Sequence, residues 1–413
     1  MNAFTGIFLA ALLAATATRL WLALRQTRHV RAHRGAVPAT FAAAIPLAAH
    51  QKAADYTVAK TRLGVADLLI DTTVVLLLTL GGGFELLSRL WAAAFAPGSL
   101  AHGTTLLLSL FLVQAAIGLP LALYRTFVVE QRFGFNRMTL ALFVSDLVKQ
   151  GLLVLALGTP LILGVLWLME RTGSLWWLYA WALVTAFSIV LQMIFPPLIL
   201  PLFNKFTPLA EGELSRRVAA LLARTGFRSR GLFVMDGSKR SSHGNAFFAG
   251  FGATKRIVLF DTLANRLEPP EVEAVLAHEL GHYKLRHILK MIALGTALSL
   301  AGFWILGQLA AQPWFYAGLG VQTATTAAAL ALFLLAAPPF TFFLHPVMSR
   351  LSRKHEFEAD AYATSNADAA QLAQALVKLY RDNASTLTPD PLHSAFYDSH
   401  PPAAARIARL RPT

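Results

Sequence analysis

Seven long apolar stretches constrain this chain more than anything else in it, at about 4–24, 64–88, 104–124, 150–169, 175–203, 288–310 and 323–344. Each, built as a helix, is long enough to cross a hydrocarbon core of roughly 30 Å. Inside that core every backbone N–H and C=O must be satisfied within the segment, so such stretches fold as helices. The 413 residues would allow two or three soluble domains, yet only 14% are charged and 56% are hydrophobic, well below the roughly 25% charged of soluble domains. The expected fold class is therefore an α-helical integral membrane protein with seven transmembrane helices.

Two polar regions interrupt the pattern, 204–287 and 345–413. The expected organisation is 1–203 as helices one to five with basic loops, 204–287 and 345–413 as two soluble parts, and 288–344 as helices six and seven. Loop one carries Arg25, Arg28, Arg31, Arg34, Lys52, Lys60 and Arg62, and loop three carries Arg125, Arg132, Arg137 and Lys149, whereas loops two, four and six offer only Arg89 and Arg171. The positive-inside rule then puts the N-terminus outside and both polar regions on the cytoplasmic side, where they can share a site. The first stretch lacks a basic n-region and is read as a retained span, not a cleaved signal.

The net charge of +14 is read as topology, since no basic run interleaves with stacking aromatics; no nucleic-acid partner is expected. With no cysteine in the chain, disulfides and thiolate ligands are excluded, and a metal must be held by His, Asp or Glu. Abundant Ala and Arg point to a bacterial source, hence to the bacterial plasma membrane.

Within 204–287, residues 211–225 read as a helix and the runs 231–235 and 256–260 as strands. After Pro269-Pro270, Glu271 to Lys284 reads as a helix whose acidic Glu268, Glu271 and Glu273 suit the N-terminal end of the dipole. It carries His278-Glu279-Leu280-Gly281-His282, an HExxH pattern. Histidines at i and i+4 project from one helical face and can grip one Zn²⁺, while Glu279 can reach a water on the metal. Catalytic zinc takes three protein ligands and keeps an open position. The segment His355-Glu356-Phe357-Glu358-Ala359-Asp360 offers the third: Glu356 as ligand with Asp360, one turn on, accepting the free N–H of a ligating imidazole. His355 and Glu358, on other faces, are alternative ligands.

Taken in order, Phe127-Val-Val-Glu130-Gln-Arg-Phe-Gly134-Phe-Asn136, Pro201-Leu-Phe-Asn204-Lys205-Phe-Thr-Pro208, Lys239-Arg-Ser-Ser-His-Gly-Asn245-Ala246, the HExxH motif, Glu356-Phe-Glu-Ala-Asp360 and Ser399-His400-Pro401-Pro402 resemble the type I CAAX prenyl endopeptidases, integral-membrane zinc proteases that include the yeast a-factor-converting enzyme. The resemblance runs from about Gln51 to Arg409. It implies seven helices around an internal chamber, a zincin-like and mostly helical catalytic domain with a small sheet, and one zinc held by His278, His282 and Glu356. It further implies Glu279 as general base, Asp360 orienting a ligand, His400 donating to the oxyanion, Arg406 organising the site, and Asn245-Ala246 as an edge strand that pairs with substrate. The implied substrate is a peptide or protein, possibly prenylated at its C-terminus. Asp71, within a span, is either a chamber-lining group or a hydrogen-bonded buried one, and Glu130 and Asn136 are chamber or domain contacts. The rival functions are a membrane quality-control protease and a zinc-stabilised scaffold without activity.

Overall fold

The structure, a computed structural model, describes residues 2–229, 231–249 and 256–410. The chain opens with α1 (Ala3–Ala32), α2 (Leu47–Leu78), α3 (Gly83–Ala92), α4 (Leu100–Tyr124), α5 (Leu140–Leu153), α6 (Thr159–Arg171) and α7 (Trp176–Ile194). It continues through β1 (Phe206–Pro208), α8 (Glu213–Arg224), β2 (Leu232–Met235), β3 (Ala246–Ala249), β4 (Arg256–Phe260), α9 (Asp261–Ala264) and α10 (Pro269–Lys284). Helices α11 (His287–Ala310), α12 (Pro313–Gly318) and α13 (Thr326–Thr341) return to the apolar zone, and α14 (His345–Asn366), α15 (Ala369–Asp382), α16 (Pro391–Tyr397) and α17 (Ala403–Leu410) follow.

Among the described residues, six helical runs are long and apolar enough to cross a membrane, and seven when α2 and α3, bent by 55°, count as one. The sequence suggests an uninterrupted second span at 64–88, but the helix breaks between Leu78 and Gly83. The cause is the run Gly81-Gly82-Gly83: Gly82 has φ +76°, and a Cβ on Gly81 or Gly83 would lie 2.8 Å from Leu77 backbone, so only glycine fits this turn. Helices also outrun the apolar stretches. Lys52, Lys60 and Arg62, expected in loop one, sit in α2, and Lys149, expected in loop three, sits in α5. A hydrogen-bond ladder does not end where the solvent changes; it ends at a cap or a breaker.

Among the described residues, the two largest cores are separate clusters. One joins Phe8, Leu78, Leu106, Leu110 and Leu332 from α1, α2, α4 and α13. The other joins Val218, Leu221, Ile257, Leu259, Leu276, Leu280 and Leu376 around the sheet and α10. Two adjoining cavities, about 470 Å³ and 240 Å³, share Thr61, His393 and Tyr397. Polar side chains line both: Gln26, Lys60 and His400 in the larger, Arg19, Asp67 and Asp71 in the smaller. Asp71 therefore borders a cavity together with a cation, consistent with the cost of turning a carboxylate to lipid.

The sheet runs β1-β2-β4-β3, with β2 and β4 parallel and the outer pairs antiparallel, which leaves β3 at an edge. Helix α10 starts at a capping box: the Glu268 backbone N–H donates to Glu271 Oε2 at 2.8 Å, and Pro269 occupies the first turn, where its missing N–H costs nothing. Buried Glu271 pairs with Lys378 at 2.7 Å, and Glu273 with Arg217 and Arg224. These pairs tie α10 to α15 and α8.

Helix α14 crosses α10 at Gly281. A Cβ there would lie 2.9 Å from the Ala359 Cα and 3.1 Å from its carbonyl oxygen, so the two backbones approach as closely as they do because neither position carries a larger side chain. Gly281→Ala should therefore destabilise the protein by about 1–3 kcal/mol, the usual cost of overpacking, and weaken metal binding. Gly295→Ala on α11, where nothing lies within 4 Å of the new Cβ, should be neutral or stabilising. Thermal unfolding of the two variants beside the parent measures the difference.

Candidate metal centre

On α10, His278 and His282 stand one turn apart with their Nε2 atoms 3.2 Å from each other. From α14, Glu356 places Oε1 3.2 Å from His282 Nε2 and Oε2 3.5 Å from His278 Nε2. Bonds of about 2.0–2.1 Å to a tetrahedral ion separate its ligand atoms by about 3.3–3.4 Å, so this triangle has the size of one face of such a site. Its chemistry agrees. His278 Nδ1–H donates to Asp360 Oδ1 at 2.8 Å, so in the neutral ring Nε2 is a bare lone pair aimed at another ring nitrogen. Glu356 Oε2 is buried without a hydrogen-bond partner. Lone pairs facing one another in a buried site repel unless a cation lies between them. Two imidazoles and a carboxylate, with no thiolate, suit zinc.

Arg406 on α17 closes the cluster from behind. It grips Asp360 in a fork, Nε to Oδ2 at 2.9 Å and Nη2 to Oδ1 at 2.6 Å, and its Nη1 lies 3.4 Å from Glu356 Oε2. At 4% exposure this cation offsets two buried carboxylates, and bidentate geometry is what makes such burial tolerable. His400 reaches the opposite side, Nε2 3.5 Å from Glu356 Oε1, and its 60% exposed side chain lines the 470 Å³ cavity. Half-buried Glu279 has its carboxyl pushed above the ordinary range, chiefly by burial, against the lowering influence of the neighbouring histidines. His355 and Glu358 do not join the triangle: His355 stacks on His287, and Glu358 bonds the same ring.

Asn245 and Ala246 lie beside α10. Ala246 shares a core with Ala277 and Leu280, and the Asn245 carbonyl accepts from the Phe260 N–H at 3.0 Å. The loop before β3 is braced by residues that spacing alone does not single out. His243 stacks on Phe135 at 4.2 Å and lies 3.6 Å from Glu130, which accepts from the Tyr56 hydroxyl at 2.6 Å. Asn383 accepts from the Gly244 N–H at 3.1 Å, and Asn136 bridges to Ser241. Glu130 and Asn136 thus join the third loop to the catalytic region. No sequence period relates Tyr56, Glu130, His243 and Asn383; the Phe127-to-Asn136 and Lys239-to-Ala246 motifs signalled Glu130 and His243, and nothing signalled Tyr56 or Asn383.

Comparison with known proteins adds an independent line. Residues 26–205 match the family model described as CAAX prenyl protease N-terminal, five membrane helices, and residues 208–413 match peptidase family M48. The human CAAX prenyl protease 1 homolog is 33% identical over all of this chain and 96% of its own length, and the rice homolog 35% identical over 83% and 81%. This chain belongs to the CAAX prenyl protease 1 family. The crystal structure of S. mikatae Ste24p agrees in fold, with a TM-score of 0.92 at 30% identity over 100% of this chain and 99% of that one. Membership makes the chain a multi-pass membrane metallopeptidase acting on peptide or protein substrates.

In the metal-free protein His278 holds a second proton, on Nε2, below about pH 9: burial opposes the charge, but the hydrogen bonds it donates to the Asp360 and Glu356 carboxylates outweigh it and raise the pKa from 6.5 to about 9. Zinc needs the neutral ring, so its affinity should climb as pH rises towards about 9, and each ion bound below that pH should displace about one proton. Calorimetric titration of zinc in two buffers of different ionisation enthalpy reads the proton count directly.

Proposed function

We propose that this chain cleaves peptide bonds near prenylated C-termini, with zinc held by His278, His282 and Glu356 at the cytoplasmic face of a bacterial plasma membrane. The observation that carries the reading is the triangle of donors beside Glu279 on the same helical turn, opening through His400 to a polar cavity. Residues 204–287 and 345–413 together form the catalytic domain in this reading, with 1–203 and 288–344 as its membrane housing. Zinc, when bound, supplies Lewis acidity towards a water and towards the scissile carbonyl.

The protein's own groups do the rest. Glu279 takes the proton of the attacking water as its oxygen bonds to the carbonyl carbon, and passes it to the amine nitrogen as the C–N bond breaks. Its raised pKa makes it the stronger base of the available carboxylates. His400, on the cavity side, donates to the developing oxyanion, a contribution that matters most in the transition state. Asp360 holds His278 in the tautomer with Nε2 free, and Arg406 holds Asp360. The edge strand β3, entered through Asn245 and beginning at Ala246, pairs with the substrate backbone, which positions a peptide with little demand on its sequence.

Two features support a prenylated substrate and the orientation. A cavity of about 390 Å³ beside His282 is lined by Ile288, Met291 and Ile292 together with His287, Ser352 and His355, a partly apolar surface next to the metal ligands. The basic end of α1 meets the catalytic region, Arg25 pairing with Asp390 at 2.9 Å, so the positive-inside rule turns that end to the cytoplasm.

Glu279→Gln should lower kcat by roughly 10²–10⁴-fold, the usual share of general acid–base catalysis, with zinc content unchanged. The parent should cleave a farnesylated CAAX peptide in a chelator-sensitive way and prefer it to the unprenylated peptide. Equal rates on the two peptides would remove prenyl recognition from the proposal while leaving the peptidase.

A further inference from the structure

His287 follows the HExxH motif by five residues, a spacing that would put it on another face of a continuous helix. The helix is not continuous. Arg286, between α10 and α11, has φ +58°, a left-handed conformation that non-glycine residues seldom adopt and that persists where surrounding structure enforces it. This elbow folds the first residue of α11 back under α10, where His287, 2% exposed, places Nδ1 3.1 Å from His282 Nδ1. On its other side, His287 Nε2 lies 2.9 Å from Glu358 Oε2, and Lys354 Nζ lies 3.7 Å from Glu358 Oε1.

The proton positions follow from what each group can do. A carboxylate only accepts, so His287 Nε2 carries the hydrogen given to Glu358. Neutral His287 then presents a lone pair at Nδ1, and the facing Nδ1 of His282 must carry the hydrogen between them. That leaves His282 Nε2 bare, aimed at His278 and Glu356. We propose that His287 and Glu358 form a positioning relay, His282 to His287 to Glu358, that fixes the tautomer and ring angle of His282 as Asp360 fixes His278. The relay rests on the metal-centre reading above. Under it, α14 supplies a ligand at Glu356, a direct orienting carboxylate at Asp360 and an indirect one at Glu358, spaced two residues apart along a single turn.

The same cluster could be taken for a second metal site, since His287, His355 and Glu358 place donor atoms within 4.8 Å of one another. The ring geometry argues against it. His287 and His355 stack with centroids 4.1 Å apart and planes 10° from parallel, so their in-plane lone pairs run side by side and do not converge on a point.

The experiment measures zinc affinity and stoichiometry on the purified full-length protein in detergent, by competition with a chromophoric chelator, with thermal unfolding of the metal-free form as the folding control. His287→Leu should weaken zinc binding roughly 10–100-fold, as loss of a group that orients a ligand does, at unchanged metal-free stability. His287→Gln should restore most of that affinity, because its amide oxygen can accept from His282 and its amide N–H can donate to Glu358. Glu358→Ala, at a half-buried position, should weaken binding in the same direction and decides the matter if His287→Leu does not fold. Zinc affinity equal to the parent's in either folded variant overturns the relay, and so does a stoichiometry of two ions per chain that falls to one in His287→Leu. A parent that binds no zinc at all would instead overturn the metal-centre reading itself.

Discussion

The close crossing of α10 and α14 at Gly281 and Ala359 is the constraint on which the candidate centre depends. Zinc-sized separations of a little over 3 Å between donor atoms require two helices from distant parts of the sequence to meet almost backbone to backbone. A side chain larger than hydrogen at Gly281 would push Glu356 away from both imidazoles. The second residue after Glu279, Gly281, is thus a packing requirement of the motif, and Ala277, Ala359 and Ala363, all buried, extend the same small-residue seam.

Around that seam, charge is arranged so that each buried group has an opposite partner. Glu271 has Lys378, Glu273 has Arg217 and Arg224, and Asp360 has Arg406. Such pairs add little net stability when compared with apolar replacements, but removing one member leaves a buried charge exposed to low dielectric. They therefore specify which helices meet. Arg406 does this while touching both Asp360 and Glu356, so the last described helix is joined to the Glu356-to-Asp360 motif on α14.

The membrane part poses a different physical problem. Helices in lipid gain nothing from hiding apolar surface against one another, so packing is concentrated where small or shape-matched side chains allow it. Here the described cores lie around the α1–α2–α4–α13 end and under the sheet, and polar cavities border the helices that carry Arg19, Lys60 and Asp71.

Hydropathy along the sequence determined that this chain crosses a membrane and roughly where, because burial of an unsatisfied backbone in lipid is too costly for any other outcome. Local periodicity also located α10 within two residues of its start and placed β2 and β4 within one, since caps, prolines and β-rich runs act over a few residues. The motifs brought His278, Glu279, His282 and Glu356 into question together, and the order of six motifs pointed to the family that the comparisons show. What the sequence could not decide were features set by contacts across the chain. The elbow at Arg286 that turns His287 towards His282 and the joining of Tyr56, Glu130, His243 and Asn383 depend on distant partners. Only the tertiary structure decided these, because a left-handed residue or a cross-domain hydrogen bond is favoured by what surrounds it and leaves no period in the residues themselves.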